Sequence, residues 1–557
     1  MKFDAGKDIL PHEFKGITYN RDSVQRLKII KGFFLAFCAI AILRTLQFGF
    51  ENSEYKKHTV SLTEIDARAD IVDRNGVILA TNTQIGHIKL YPPKVKEEHI
   101  DDVARVIHKI SPEEFSIETA LKLIRSGKEG IYLKKNLIGE NLKEQLNFIN
   151  DVNRIYNCFD FELITKRYYP QRNVFSHVVG FAGKDRGLEG IERTYDKYLR
   201  ENKDPLKISI DSRIQNIFHE QLTIAMNKYH AKGAMGMLMN STTGEMLAMV
   251  QLPDFNPNEI KAAHDEKRKF KLLRVPYEMG SVFKIFNTAI AYENNLQDKW
   301  YEVDKPLMIY DKFNRPAMKK PIDDVASFKR SVIKKRGIRK LQAPDIMLYS
   351  CNVGSARMAL EFPPTAQQEF FQRLHFDGPL DLEFGKTETA LTHKTWGKVE
   401  RATAAFGHGV NVTPMHLLLG VNAMTNGGFY IYPTLLKRGI GAIRGERVLD
   451  GEISAKLRQI MYRIAEETTG KLARVEGMEI GGKTGSAEKR AADGSADKSR
   501  NMTIFTGVFP ISVPQYVILI MLDEAQAEHK GSGRTAAQNA VPTAGAILNG
   551  IMPLLFE

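Results

Sequence analysis

Ser281 and Lys284 are the two residues whose types and spacing carry the most chemistry in this sequence. Residues three apart on a helix share one face, which places the lysine ammonium against the serine hydroxyl. They open the run Ser281-Val282-Phe283-Lys284-Ile285-Phe286-Asn287-Thr288-Ala289-Ile290, apolar on almost all sides, which predicts a buried helix. Burial lowers a lysine pKa toward that of a usable base, and a helix N-terminus stabilises negative charge developing on the serine oxygen. The spacing alone is cheap. Ser53/Lys56, Ser331/Lys334, Ser486/Lys489 and Ser495/Lys498 share it, but none of them opens a long apolar run.

Two further groups follow in order. Ser350-Cys351-Asn352 ends a helical stretch from Leu341 to Tyr349, and Gly482-Lys483-Thr484-Gly485-Ser486 follows Met478-Glu479-Ile480. Lys-Thr-Gly occurs once in the chain, and Ser-x-Asn twice, the other being Ser499-Arg500-Asn501. S-x-x-K, S-x-N and K-T-G in this order form the three-part signature of penicillin-interacting serine enzymes. An acyl-transfer site needs a nucleophile, a base, a proton path to the leaving nitrogen and an oxyanion hole. Ser281 is read as the nucleophile and Lys284 as its base. Ser350 would pass a proton to the departing amine, and Asn352 would orient Lys284 and a substrate amide. Lys483, on an edge strand, offers charge to a terminal carboxylate, with the hydroxyls of Thr484 and Ser486 beside it. Gly485 leaves room for substrate backbone. The backbone N–H groups of Ser281 and Ser486 would make the oxyanion hole. No G-x-S-x-G elbow is present, which weakens a Ser-His-Asp hydrolase reading.

These residues need a framework, and the pattern supplies an α/β (α+β) one. Asp70 to Leu79 reads as strand, Asn-Gly turn and strand. Ser111-Pro112-Glu113-Glu114 predicts a helix start. Lys203-Asp204-Pro205 marks a domain boundary. Beyond it Lys207 to Ile210 reads as a strand, Ile214 to Met226 as a helix, and Gly236–Asn240 and Gly244–Val250 as two strands joined by a Thr-Gly turn. Met502–Phe509 and Gln515–Leu522 are strand-like, and Ala544–Leu555 a closing helix. Strands with helices on both sides predict a body with a central sheet flanked by helices. The segment Ser486 to Arg500 reads as a mobile loop or a solvated linker, and the basic cluster Lys329 to Lys340 as a solvated loop.

Of 557 residues, 79 are Lys or Arg against 66 Asp or Glu, a net charge of +13 that calls for an anionic neighbour. Gly32 to Leu43 is uncharged, and with its apolar flanks it makes a segment of about 20 residues, the length of a single membrane span. Seven Lys/Arg precede it, so the positive-inside rule puts the tail in the cytoplasm and the body outside the inner membrane. That placement excludes a chromosome as partner, and no nucleic-acid module pattern is present. The three cysteines, Cys38, Cys158 and Cys351, lack the paired spacing of zinc or redox sites. No metal or cofactor is expected. Cys351 reads as a small packed residue.

At this point the sequence resembles a class B penicillin-binding protein. Besides the three motifs, Arg68-Ala69-Asp70-Ile71-Val72-Asp73-Arg74-Asn75-Gly76 resembles that family's R-G-x-I-x-D-R-N-G. Arg167-Tyr168-Tyr169-Pro170 through Gly187-Leu188-Glu189-Gly190-Ile191-Glu192 resembles its pedestal motif. Phe406-Gly407-His408-Gly409 with Val412-Thr413-Pro414-Met415-His416-Leu417 resembles the G-x-G…T-P-x-Q-L segment under the site. Ala69, Met279 and His416 stand where Gly, Pro and Gln are usual. The resemblance implies a tail at 1–28, a transmembrane anchor at 29–50, an elongated pedestal (dimerisation-type) domain at 51–205 and a transpeptidase domain at 206–557. It implies a D,D-transpeptidase that cross-links peptidoglycan stem peptides through an acyl-enzyme on Ser281 and is trapped there by β-lactams. The ends of the strands at Phe509-Pro510 and Leu522-Asp523-Glu524, the Gly531-Ser532-Gly533 turn and the closing helix look most like septal, FtsI-type members. An FtsW-type glycan polymerase and other division proteins would then be partners at the septum. An elongation-type class B enzyme, a non-catalytic division scaffold, and a β-lactamase or β-lactam sensor are the competing readings.

Overall fold

The computed structural model describes residues 68–260, 266–390, 392–393, 395–438, 445–490, 496–529 and 533–556. The expected tail and anchor, with Cys38, lie outside the described residues, as does most of the Gly531-Ser532-Gly533 turn. Among the described residues no helix is long and apolar enough to cross a membrane.

The described residues open with the expected hairpin. β1 (Ile71–Val72) pairs antiparallel with β2 (Ile78–Leu90), and Gly76 between them has φ +91°, the left-handed conformation that an Asn-Gly turn requires. Asp73 holds the turn. Its Oδ1 accepts the N–H groups of Asn75 at 2.7 Å and Val77 at 2.8 Å, and its Oδ2 accepts that of Ser212 at 2.9 Å. β3 (Ile131–Leu137) and β4 (Phe159–Tyr168) pair antiparallel with β2, and β5 (Leu206–Lys207) joins β1 in parallel to complete a five-stranded sheet.

The helix expected from Ser111 starts later. Ser111 ends α1 (Ile100–Ile110), and its carbonyl accepts the N–H groups of Glu114 and Phe115 in a turn. α2 (Ile117–Ile124) starts where the Ser116 hydroxyl accepts the Thr119 N–H at 3.2 Å. The serine that caps is the one whose oxygen reaches a helix N–H without a partner.

Three segments singled out in the sequence meet in one buried ion cluster. Glu192 accepts Arg68 Nε at 3.0 Å and Arg167 Nε at 2.6 Å, while Arg167 also donates to the Ala69 carbonyl at 2.9 Å. All three charged side chains are excluded from solvent. Ala69, where Gly is usual, is itself buried.

The larger body is built on a second five-stranded sheet. α4 (Ser212–Lys228), with α3 (Gly139–Asn153) earlier in the chain, precedes β6 (Gly233–Asn240) and β7 (Met246–Leu252). Then come α5 (Lys284–Glu293), α6 (Ala343–Leu348), α7 (Asn352–Glu361), α8 (Pro414–Thr425) and α9 (Gly451–Glu467). β8 (Gly481–Arg490), β9 (Ala496–Phe509), β10 (Tyr516–Asp523) and α10 (Ala540–Leu555) close it. The strand order is β8-β9-β10-β6-β7, antiparallel throughout, with β8 on an edge. Both faces are covered, as the two-residue period of β10 records. Val517, Leu519 and Met521 join the core that contains α5 and α8, whereas Ile518, Ile520 and Leu522 join the one formed with α4 and α10. The central antiparallel sheet flanked by helices is therefore present.

Two composition-based expectations give way to packing. Ser486 to Arg500 is largely strand: β8 and β9 pair as far as Arg490 and Ala496, and residues 491–495 lie outside the described residues. Lys489 pins that extension, bonding Asp523 at 2.5 Å and Glu524 at 3.0 Å. The basic cluster is helical from Ala326 through Lys334, because Phe328 and Val332 bury one face while Arg330, Lys334, Lys335 and Arg336 stay exposed.

Candidate active site

The nucleophile candidate sits on a tight turn. Gly280–Phe283 is a 3-10 turn that runs directly into α5, with Lys284 its first residue and every side chain from Lys284 to Ala291 buried. The turn is pressed against edge strand β8. A Cβ on Gly280, whose φ is +53°, would lie 2.6 Å from the Ser486 carbonyl oxygen, and one on Gly485 would lie 2.6 Å from that of Met279. Gly485 is thus demanded by the docking of the serine turn, beyond any need of substrate backbone. A Cβ on Gly407, whose φ is +81°, would in turn lie 2.3 Å from the Gly280 carbonyl oxygen.

Six of the eight expected site residues converge through their side chains and main chain. Lys284 Nζ lies 2.7 Å from Ser281 Oγ, 2.7 Å from Asn352 Oδ1 and 3.4 Å from Ser350 Oγ. Lys483 Nζ approaches the same Ser350 Oγ at 3.2 Å and bonds the Thr484 carbonyl at 3.0 Å. Ser350 therefore bridges two lysines. It holds a φ of +59° between α6 and α7, a conformation costly for a residue with a Cβ and kept by its surroundings. Thr484 Oγ1 pairs with Thr469 Oγ1 at 3.0 Å. Gly485 and Ser486 line the same cavity, but the Ser486 hydroxyl is turned to accept the Ala536 N–H at 3.3 Å.

Both lysines are fully buried, and among the described residues neither has a carboxylate in ion-pair contact. Burial lowers Lys284 to about 8, partly opposed by the negative charge of Asp324. Lys483 is held well below its ordinary value, first by burial and then by the charge of Lys284. Two buried ammonium groups sharing one hydroxyl disfavour each other's charge.

Sequence reasoning missed Asp324. Its buried carboxylate accepts the backbone N–H groups of Asn352 at 2.5 Å and Val353 at 3.3 Å and the Cys351 thiol at 3.1 Å. It thus fills the N-terminus of α7, the helix that presents Asn352 to Lys284. Only the doublet Asp323-Asp324 ahead of a basic run hinted at it. Cys351 caps the same helix, its sulfur accepting the Gly354 N–H at 3.1 Å. His416, in the place usual for Gln, fits its site: Nδ1 meets Thr413 Oγ1 at 2.7 Å and Nε2 the Gly378 carbonyl at 3.0 Å.

The groups open into a cavity of about 620 Å³ whose lining includes Ser281, Ser350, Asn352, Thr484, Phe406 and His408. A buried lysine against a serine, a second lysine beside a bridging serine and an open cavity make a site suited to forming and resolving a serine ester.

The chain matches the penicillin binding protein transpeptidase domain over residues 234–548, more than half its length, and the penicillin-binding protein dimerisation domain over residues 64–223. It belongs to the penicillin-binding protein transpeptidase family. With a dimerisation domain ahead of the transpeptidase domain, this penicillin-binding protein is a class B member of the FtsI type. It is 28% identical over 513 residues to the probable peptidoglycan D,D-transpeptidase FtsI of Caulobacter vibrioides, covering 88% of this chain and 81% of that one. It is 26% identical to the peptidoglycan D,D-transpeptidase FtsI of Escherichia coli K12, covering 70% and 67%. In fold it is similar to penicillin-binding protein 2X from Streptococcus thermophilus, with a TM-score of 0.68 at 18% identity over 88% of this penicillin-binding protein and 80% of that chain.

Proposed function

We propose that the protein is a peptidoglycan D,D-transpeptidase of septal cell-wall synthesis. The observation that carries this reading is the placement of Lys284 Nζ 2.7 Å from both Ser281 Oγ and Asn352 Oδ1, with Ser350 shared between Lys284 and Lys483. A neutral Lys284 has two N–H groups for Asn352 and Ser350 and a lone pair for the Ser281 proton. Ser281 Oγ attacks the carbonyl carbon of the penultimate D-Ala of a stem peptide while Lys284 takes its proton. The backbone N–H groups of Ser281 and Ser486 receive the oxyanion, and Lys483 with Thr484 holds the terminal carboxylate. The amide C–N bond then breaks, a proton reaches the leaving nitrogen through Ser350, and D-Ala departs. An amine of a neighbouring stem attacks the ester, gives up a proton by the same path, and forms the cross-link as the Ser281 C–O bond breaks. A β-lactam opens on Ser281 by the first half of this sequence.

The apolar segment at 29–50 would anchor the chain in the inner membrane, with a cytoplasmic tail at 1–28, a periplasmic pedestal at 51–205 and the transpeptidase domain at 206–557 facing peptidoglycan. A membrane-embedded polymerase of FtsW type and other division proteins would be its partners. The test is mass spectrometry of the protein with a D-Ala-D-Ala stem peptide and an acceptor amine. Release of D-Ala with formation of the cross-linked amide supports the reading. Hydrolysis alone, or rapid deacylation of a penicillin adduct, overturns it, and failure to label with fluorescent penicillin while folded points to a scaffold. A fluorescent fusion at midcell supports the septal role, and one along the side wall the elongation role.

A further inference from the structure

The basic segment that follows Ala326 contributes a wall of the active-site cavity. Phe328, Ser331, Val332 and Arg336 line it, as do Thr484 and Ser486. Among the described residues that line the cavity, Arg336 is the one Lys or Arg. Lys284 and Lys483 lie behind the lining, fully buried.

Arg336 is held where it is. Its guanidinium donates to the Tyr349 hydroxyl at 2.9 Å and lies 5.4 Å from that ring's centroid, and Tyr349 immediately precedes Ser350. The neighbouring acid on the lining, Glu467, is bonded by Arg463 at 2.9 Å and 3.4 Å, and this bond, with a smaller contribution from the charge of Arg336, holds its carboxyl below its ordinary value. Glu488 also lines the cavity, on β8. Arg336 is exposed, and a guanidinium with one bond to a phenol keeps further N–H groups for a planar anion.

We infer that Arg336, positioned by Tyr349, is a specificity-determining residue that binds a second carboxylate of the substrate, one carried on a stem-peptide side chain away from the reacting D-Ala-D-Ala end. This rests on the transpeptidase reading and assigns part of its substrate specificity. Lys483 serves the terminal carboxylate from behind Thr484, which lines the cavity, and Arg336 serves the second from the wall. A charge-assisted bond at a partly exposed site corresponds to roughly 10- to 100-fold in affinity.

The experiment uses two synthetic stem peptides, identical except that one carries a free side-chain carboxylate and the other the carboxamide. D-Ala release is followed for the unaltered protein, Arg336→Ala, Arg336→Lys and Tyr349→Phe, each checked for folding by circular dichroism. The unaltered protein should favour the carboxylate peptide about 10- to 100-fold in kcat/KM, through KM. That preference should collapse toward unity in Arg336→Ala, persist in part in Arg336→Lys, and weaken in Tyr349→Phe. No preference in the unaltered protein, or the same preference in Arg336→Ala, overturns the inference. If neither peptide releases D-Ala while fluorescent penicillin still labels Ser281, the transpeptidase reading itself fails and this assignment falls with it.

Discussion

Asp324 Oδ2 accepts the Cys351 thiol at 3.1 Å while Oδ1 of the same carboxylate accepts the backbone N–H of Asn352. One buried carboxylate therefore fixes the segment joining Ser350 to α7 and, through Asn352, the position of Lys284. Burial raises the Asp324 carboxyl above its ordinary value, against the bonds from Asn352 and Cys351 and the charge of Lys284.

Asp324→Asn keeps the size but replaces one acceptor oxygen by an NH2 facing N–H groups. The acylation rate should fall at every pH. The missing negative charge also removes an influence that raises the Lys284 pKa, so the pH at which labelling is half-maximal should move below about 8. Stopped-flow measurement of β-lactam acylation from pH 6 to 10 reads both effects. An unchanged rate and midpoint would mean that Asp324 has no hold on the site.

Cys351 acts as a cap. Burial and the Asp324 charge push its thiol well above the ordinary range, so the native protein should resist maleimide modification at this position. Cys351→Ser retains a donor for Asp324 and an acceptor for Gly354 and should keep penicillin labelling. Cys351→Ala leaves the Gly354 N–H and Asp324 each one partner short and should cost roughly 1 kcal/mol by chemical denaturation. Loss of labelling in the serine variant would make the thiol a participant.

Lys284 must be neutral to take the Ser281 proton. With its pKa lowered to about 8 by burial, the fraction of free base grows with pH up to that value and saturates above it. Acylation should therefore rise about tenfold per pH unit well below the pKa and level off beyond it. Ser281→Ala should abolish labelling, and Lys284→Ala should slow it by roughly 10²- to 10⁴-fold. A flat profile between pH 6 and 9 would remove Lys284 from the role of base.

The chemistry of this site was legible because its three motifs combine unusual residue pairs with local geometry: Ser281 and Lys284 share a turn, and Lys483 to Ser486 share a strand. Asp324 was not legible, since two of its three partners are backbone N–H groups of a helix that begins 28 positions later, which leave no mark on residue types, and the third is the thiol of Cys351, read from the sequence only as a small packed residue. The Lys329–Lys340 run misled for the opposite reason. Its many charges mask Phe328 just before it and Val332 within it, two buried side chains that line the cavity. Ser111 and Ser116 both satisfy a cap pattern, and only the packing of α1 decides that Ser111 ends one helix while Ser116 starts the next.

The Arg68–Glu192–Arg167 cluster makes the strongest stability prediction. Among the described residues, Glu192 is the one carboxylate that bonds both guanidiniums in a region closed to water. Glu192→Ala leaves two arginines facing each other there, with Arg68 keeping Asp196 at 2.7 Å and Arg167 keeping the Ala69 carbonyl. Removal of one partner of a buried ion pair costs roughly 3–5 kcal/mol, because the surviving charge stays desolvated without its counter-charge. Replacing all three residues by apolar ones of similar volume removes that penalty, so the triple variant Arg68→Met, Arg167→Met, Glu192→Leu should be more stable than Glu192→Ala. Denaturant midpoints of the two proteins decide the matter. If Glu192→Ala lost under about 1 kcal/mol, the cluster would behave as a hydrated surface pair rather than a buried junction of three chain segments.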